Sequence, residues 1–354
     1  MSSADHGCQN PSKSVCVGTG FVTLDLVMNE NDPTSPPKLC AGGSCGNVMT
    51  ILAYLGWDSY PIARLGNDTA AKPLLADFKH WDVKTRFVTQ YPTDDTPIIV
   101  QKIGVGYSGT PWHRFEWTCP GCNSALPRYK PVLLKEAAQL EKSWPPHQAF
   151  YFDRVTPSAV RLATASKEQG AMIIFEPSAV KDDTLFNVCL QVADIVKYSH
   201  DRLGHVPELA VGTGVPLQIE TLGAQGLRYQ LGCERGRWKT IQPLRVENLR
   251  DAAGAGDWCS AGVIHSLAKG DFMTLHNAAE TDIIQALNFG QGLAAINCRY
   301  EGARGSMYSL SQTQFEVAVH ELLEGAVPVS TTSRKPSMTP LHHLRGICPG
   351  CVEK

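Results

Sequence analysis

No apolar run in this chain approaches the ~18 residues that would span a bilayer, so a membrane partner is not expected. The opening Met1-Ser2-Ser3-Ala4-Asp5-His6-Gly7 lacks the basic-then-apolar pattern of a secretory leader, which sets a cytoplasmic location as the expectation. An excess of one charge is missing too. Lys and Arg number 32 against 34 Asp and Glu, for a net charge of −2, so nothing favours a polyanion and nucleic acid is not an expected partner. No internal repeat is present. Hydrophobic residues make up 43% and charged residues 19%, the ordinary balance of a globular enzyme with a sizeable core.

Cysteine, by contrast, is plentiful, at 12 residues. Cys16, Cys40, Cys189 and Cys298 lie singly among apolar or small neighbours and read as reduced core thiols. Four others form two copies of one tetrapeptide, Cys119-Pro120-Gly121-Cys122 and Cys348-Pro349-Gly350-Cys351. Such turns place two thiolates on one tetrahedral ion, and the sequence after Cys122 resembles the text after a zinc-ribbon knuckle. The pairs lie too far apart for a ribbon, so the fold or a dimer must join them. The expectation is a structural Zn²⁺ on Cys119, Cys122, Cys348 and Cys351; a redox dithiol, a disulfide or two unrelated surface turns are the alternatives.

The densest chemistry lies in Asp251-Ala252-Ala253-Gly254-Ala255-Gly256-Asp257, where two carboxylates bracket five small residues before an apolar run over 258–264. Backbone with almost no side chains can approach an anion closely. A helix starting there adds the positive end of its dipole, so the amides of Gly254, Ala255 and Gly256 suit a phosphate. Asp257 would stand at the mouth of that bed, placed to accept a proton from an attacking hydroxyl. Taken alone, the stretch also reads as a Gly/Ala turn with two capping aspartates.

Earlier segments have related character. Residues 1–14 are polar and expected to be disordered. Two strands over 16–28 flank a glycine turn, and Asp25 breaks the apolar alternation as a turn or edge carboxylate would. Ala41-Gly42-Gly43-Ser44-Cys45-Gly46-Asn47 is a glycine turn entering a short apolar helix that Gly56 stops. Beyond residue 130, strands near 149–152, 171–177, 192–197 and 216–222 alternate with helices, the pattern of a parallel, doubly wound sheet with its site at the strand carboxyl ends. Thr221-Leu222-Gly223-Ala224-Gln225-Gly226 reads as a hairpin turn. Ile283, Leu287, Gly290 and Ala294 recur at helical spacing, predicting a helix whose small-residue face packs on the sheet. A helix over 312–323 and a Pro/Ser/Thr-rich linker over 326–340 follow.

Taken in order, these segments resemble the ribokinase-like (PfkB) carbohydrate kinases. Gly42, Gly43 and Asn47 match the first signature, Gly-Gly-x-x-x-Asn. Residues 251–257 match the second, Asp-Thr-x-Gly-Ala-Gly-Asp, with Ala252 in the place of Thr. The resemblance implies an α/β fold: a ribokinase-like, doubly wound, mostly parallel sheet flanked by helices. A small β-sheet lid would come from strands near 15–40 and 96–127 of a kinase domain over 15–325, with linker and cysteine tail over 326–354. It implies an ATP-dependent phosphotransferase acting on a hydroxyl of a sugar or sugar-like small molecule. In that reading Asp257 is the base, and Asp25, Gly43 and Asn47 hold the acceptor. Thr221, Gly223 and Gly226 contact the nucleotide, and Asp251 has a structural or monovalent-cation (K⁺) role. Mg²⁺ would accompany ATP, and the lids would pair in a homodimer. Ser199 and Arg202 stand where many relatives carry the Asn and Glu that order magnesium, so a catalytically weak or inactive binding protein of the same fold is the alternative.

Overall fold

The computed structural model describes residues 13–106, 109, 111–232, 234, 236–269, 275–326 and 346–352. The expected tail therefore lies outside the described residues up to residue 12, as does the linker over 327–340.

Runs such as Ala149-Phe150-Tyr151-Phe152 and Met172-Ile173-Ile174-Phe175 are buried along their whole length, as strands covered on both faces must be. They belong to a nine-stranded sheet. Its members are β1 (Val15–Thr19), β4 (Asp58–Gly66), β5 (Val88–Tyr91), β8 (Ala149–Phe152), β9 (Met172–Phe175), β10 (Ile195–Ser199), β11 (Leu217–Thr221), β12 (Leu227–Leu231) and β13 (Lys239–Ile241). The order is β13-β12-β11-β10-β9-β8-β1-β4-β5, parallel from β5 to β11 and antiparallel beyond. The period of two divides the strands between two cores. Cys16, Tyr151 and Ile174 face one with Trp258, Ile264 and Leu287, while Val17, Phe150, Phe152 and Phe175 face the other with Leu162 and Phe186. Helices thus cover both faces.

The second sheet has four strands in the order β3-β2-β6-β7, from β2 (Thr23–Asn29), β3 (Lys38–Gly42), β6 (Ile98–Val105) and β7 (Pro111–Glu116). Leu24, Leu26, Ile98 and Val100 of this sheet join the core on the Trp258 side. One expected lid strand is placed differently. β1 lies in the large sheet between β4 and β8, because its wholly apolar Cys16 and Val17 are buried on opposite faces.

Strand order reverses between β1 and β8. From β8 the chain winds outward to β11, whereas β1, β4 and β5 occupy the other side. A crevice opens at the carboxyl ends of strands at such a switch point. Here those ends carry Gly20 and Phe21 after β1, and Asp153 after β8.

Candidate active site

The helix Ala255–Leu267 starts at Gly254, whose φ of 74° is left-handed, and no side chain caps it. A Cβ at Gly254 would overlap the backbone of Ala303, so only glycine fits. No side chain caps the amides of Gly254, Ala255 and Gly256, and Ala255 N donates to the Ala252 carbonyl at 3.2 Å, so this turn of small residues at a helix start has the make-up of an anion bed. Asp257, in the first turn, is half-buried. Its carboxyl is pushed up to about 7, first by burial and next by the nearby charge of Glu176, against a lowering hydrogen bond from Asn47.

That hydrogen bond joins the two glycine signatures: Asn47 Nδ2 donates to Asp257 Oδ2 at 2.7 Å. Asn47 projects from the helix Ser44–Tyr54, for which Gly43 is the N-cap residue. Asp153 aims this helix. Its carboxylate accepts from Phe21 N at 2.8 Å and from Cys45 N at 3.2 Å, and so fixes the first turn of the helix. Asp25 of β2 is buried at 4% exposure, and its Oδ1 has no hydrogen-bond partner among the described residues. Its carboxyl is pushed up to about 8 by burial, with Arg304 opposing and Asp257 and Asp77 reinforcing. Gly42 lies against that carboxyl so closely that a Cβ would overlap it, which accounts for the glycine pair.

Three further residues belong to the site and were absent from the sequence reading. Arg304, 3% exposed, follows the Gly302-Ala303 turn. Its Nε donates to Asn47 Oδ1 at 3.1 Å, and Nη2 donates to Asp77 Oδ2 at 2.6 Å and to the Ala41 carbonyl. Tyr308 donates to the other Asp77 oxygen at 2.6 Å. Nη1 of Arg304 is buried with no hydrogen-bond partner among the described residues. The other two are Lys197 and Glu176, an ion pair beside the bed. A Cβ on Gly256 would lie 3.5 Å from Glu176 Oε1 and 3.6 Å from Lys197 Nζ. Glu176 also accepts from Tyr151 at 3.0 Å and from Ser260. The available signal was a charged residue inside a buried apolar strand, at Lys197, and a lone arginine after a Gly-Ala turn.

The remaining expected positions fall as follows. Asp251 clamps backbone: Oδ1 accepts from Ala253 N at 2.9 Å, and Oδ2 from Gly302 N at 2.9 Å and from Gln101 Nε2 at 3.2 Å. His113 Nδ1 stands 3.4 Å from Oδ1, so β6 and β7 both reach this carboxylate. Thr221 ends β11 beside Ser199 of β10, and its hydroxyl donates to the Tyr198 carbonyl at 3.3 Å. Gly223 and Gly226, with φ of 58° and 87°, shape the turn after it. Arg202 and Asp201 are exposed, while buried Glu220 of β11 is held by His200 at 2.7 Å and by Arg228. The four paired cysteines meet one another, at a place distinct from Asp257. Of the single cysteines, Cys16, Cys189 and Cys298 are buried free thiols and Cys40 is a half-buried one.

Solved structures share this architecture. A double-mutant fructokinase of Vibrio cholerae O395, with fructose, ADP and potassium ion bound, superposes with a TM-score of 0.65 at 19% identity, over 88% of this chain and 99% of that one. Aminoimidazole riboside kinase of Salmonella enterica, with aminoimidazole riboside and an ATP analogue, gives 0.65 at 18% identity, over 86% and 100%. Arabidopsis thaliana ribokinase with ribose and ATP gives 0.62 at 17%, over 88% and 99%. A family model described as pfkB family carbohydrate kinase matches residues 13–105 and 156–309, which hold Asp25, Gly43, Asn47, Glu176, Lys197, the 251–257 turn and Arg304, though not Asp153. No helix among the described residues is long and apolar enough to cross a membrane. With both glycine signatures joined through Asn47 and Asp257 in that fold, the chain belongs to the pfkB family of carbohydrate kinases.

Proposed function

We propose that the protein transfers the terminal phosphoryl group of ATP to a hydroxyl of a sugar or sugar-like acceptor, with Asp257 as general base. The observation that carries this reading is a carboxylate in the first turn of a helix that no side chain caps, hydrogen-bonded to Asn47 of the other glycine signature, with burial pushing its pKa up. As the acceptor oxygen forms its bond to the terminal phosphorus, Asp257 takes the hydroxyl proton, and the bond to the departing diphosphate breaks. Gly254, Ala255 and Gly256 amides and the helix end stabilise charge on the transferred group. Lys197 adds a fixed positive charge beside them. Thr221, Gly223 and Gly226 form the nucleotide turn.

Acceptor recognition in this reading uses a complementary pair. The unpartnered Asp25 Oδ1 accepts a hydroxyl, and the unpartnered Arg304 Nη1 donates to an oxygen. Gly43 lets the acceptor approach. The solved kinases bind fructose, ribose and a riboside, polyols that present both donors and acceptors. Mg²⁺, entering with the nucleotide, would neutralise phosphate charge, with Glu176 the carboxylate beside the bed. The exposed Arg202 does not fit that task. A monovalent cation, as in the potassium-bound fructokinase, would lie near the Asp251 turn.

Asp257→Asn tests the assignment. On the acceptor found by an ATP-consumption screen of sugars, nucleosides and sugar acids, turnover falls about 10²–10⁴-fold with nucleotide affinity nearly unchanged. A variant with near-normal turnover would refute Asp257 as base. Wild-type protein that binds ATP yet phosphorylates nothing would support the binding-protein reading that Ala252, Ser199 and Arg202 suggest.

A further inference from the structure

We propose that Cys119, Cys122, Cys348 and Cys351 hold one structural zinc ion that pins the segment 346–352 to the chain returning from the small sheet. All four Sγ atoms lie within 4.8 Å of one another. Cys119 Sγ lies 3.6 Å from Cys351 Sγ, and Cys122 Sγ lies 3.7 Å from Cys348 Sγ, so each tetrapeptide reaches the other. Four thiolates about 2.3 Å from a tetrahedral zinc stand ~3.8 Å apart, so these separations are those of a filled tetrahedron. A disulfide would need about 2.05 Å.

The surrounding backbone is built for the same end. Cys119 N donates to the Ser124 carbonyl and Asn123 N to the Cys119 carbonyl, each at 2.9 Å, with Asn123 left-handed at φ 59°. This tight turn leaves Gly121 N free to donate to Cys119 Sγ at 3.4 Å, an amide facing a sulfur as thiolate charge requires. The second turn packs on the first, where a Cβ at Gly350 would lie 2.6 Å from Ser124 Oγ. Ile347 and Cys348 are buried in the core with Cys119 and Leu126. Four soft sulfur ligands, with no carboxylate or histidine joining them among the described residues, describe a structural zinc, not a catalytic one.

Both tetrapeptides fall outside the family match, which omits 106–155 and stops at 309, so the site is an addition to the common kinase frame. Its location indicates what it steadies. Trp117 packs against Phe21 at 5.8 Å between ring centres, and the Phe21 carbonyl accepts from Gly46 N at 3.2 Å in the Asn47 helix. The Pro127 carbonyl accepts from Ile98 N at 3.1 Å, where β6 begins. The ion therefore fixes the segment that links the small sheet to the acceptor side.

Metal analysis of protein purified without chelator should give about one zinc per chain. Replacement by Co²⁺ should give the intense sulfur-to-cobalt and visible ligand-field bands of a tetrahedral four-thiolate site. Cys348→Ser and Cys351→Ser should each lose the zinc, and chelation of the wild type should lower its melting temperature. Three results would overturn the proposal: zinc-free wild type that takes up neither Zn²⁺ nor Co²⁺, two disulfides found by mass under denaturing conditions, or a full zinc complement in Cys348→Ser. The cobalt spectrum uses wild-type protein and decides the matter even if the variants fail to fold.

Discussion

Asn47 gives the two ends of its amide to opposite charges, its oxygen to the Arg304 guanidinium and its nitrogen to the Asp257 carboxylate. The guanidinium cannot accept, so Arg304 settles which way the amide points, and Asp77 with Tyr308 holds Arg304. The hydrogen bond from Asn47 favours ionised Asp257, opposing the burial and the Glu176 charge that push its pKa up. With Asp257 as the proposed base, active only when ionised, the rate should rise with pH through about 7. Removing the bond in Asn47→Ala shifts that limb to higher pH, besides weakening the acceptor. A pH profile of kcat for both proteins checks this, and a limb that stays put in the variant would refute the coupling. Asp257 and Asn47 were legible because short glycine motifs advertise backbone approach. Arg304, Lys197 and Glu176 were not, because an isolated charge in a sequence does not reveal which buried partner neutralises it.

Small residues at helical spacing raise a similar question of partner. Ile283, Leu287, Gly290 and Ala294 predicted a helix packed on the sheet, and the helix Glu280–Asn297 is there, but its glycine meets another helix. A Cβ at Gly290 would lie 2.7 Å from the Cys259 carbonyl, and one at Gly262 would lie 2.6 Å from Gly290 Cα. Spacing gives the face a helix buries, not what stands opposite. This contact aligns the helix that carries Asp257 in its first turn, so Gly290→Ala should act at a distance. Overpacking there costs roughly 1–3 kcal/mol, read as a lower urea midpoint, and it should reduce turnover by shifting the bed. Wild-type stability in the variant would mean that the helix pair yields freely. The same limit explains β1. A strand opening at Cys16 was visible and was expected in the lid, but its place in the large sheet depends on Ala149–Phe152 and Asp58–Gly66, far away in sequence.

Over the whole molecule, Asp25, Asp153 and Asp257 form a set of acids whose pKa values burial raises, with Asp25 reaching about 8 and Asp257 about 7. An unfolded aspartate titrates near ~3.9. Between that value and the raised ones the folded chain keeps protons that the unfolded chain has released, so these groups make stability fall as pH rises across the window. A double variant Asp25→Asn/Asp257→Asn should therefore melt above the wild type at pH 8, by a margin that shrinks toward pH 5. A margin independent of pH would show that the two carboxyls titrate normally. The fold frame was legible from repeated strand–helix text, whereas this shared electrostatic burden required knowing how deep each acid lies. The position of β1 carries a different consequence, for the order in which the chain assembles as it is synthesised. β1, β4 and β5 are complete by residue 91, yet the inner edge of β1 has no neighbour until residues 149–152 follow. An open strand edge invites pairing with other chains. β8 brings Asp153 with it, and Asp153 fixes Phe21 and the start of the Asn47 helix. One docking event during synthesis thus covers the vulnerable edge and fixes the Asn47 helix, so a nascent chain stalled before residue 153 keeps an open strand edge and lacks the carboxylate that holds Phe21 and Cys45.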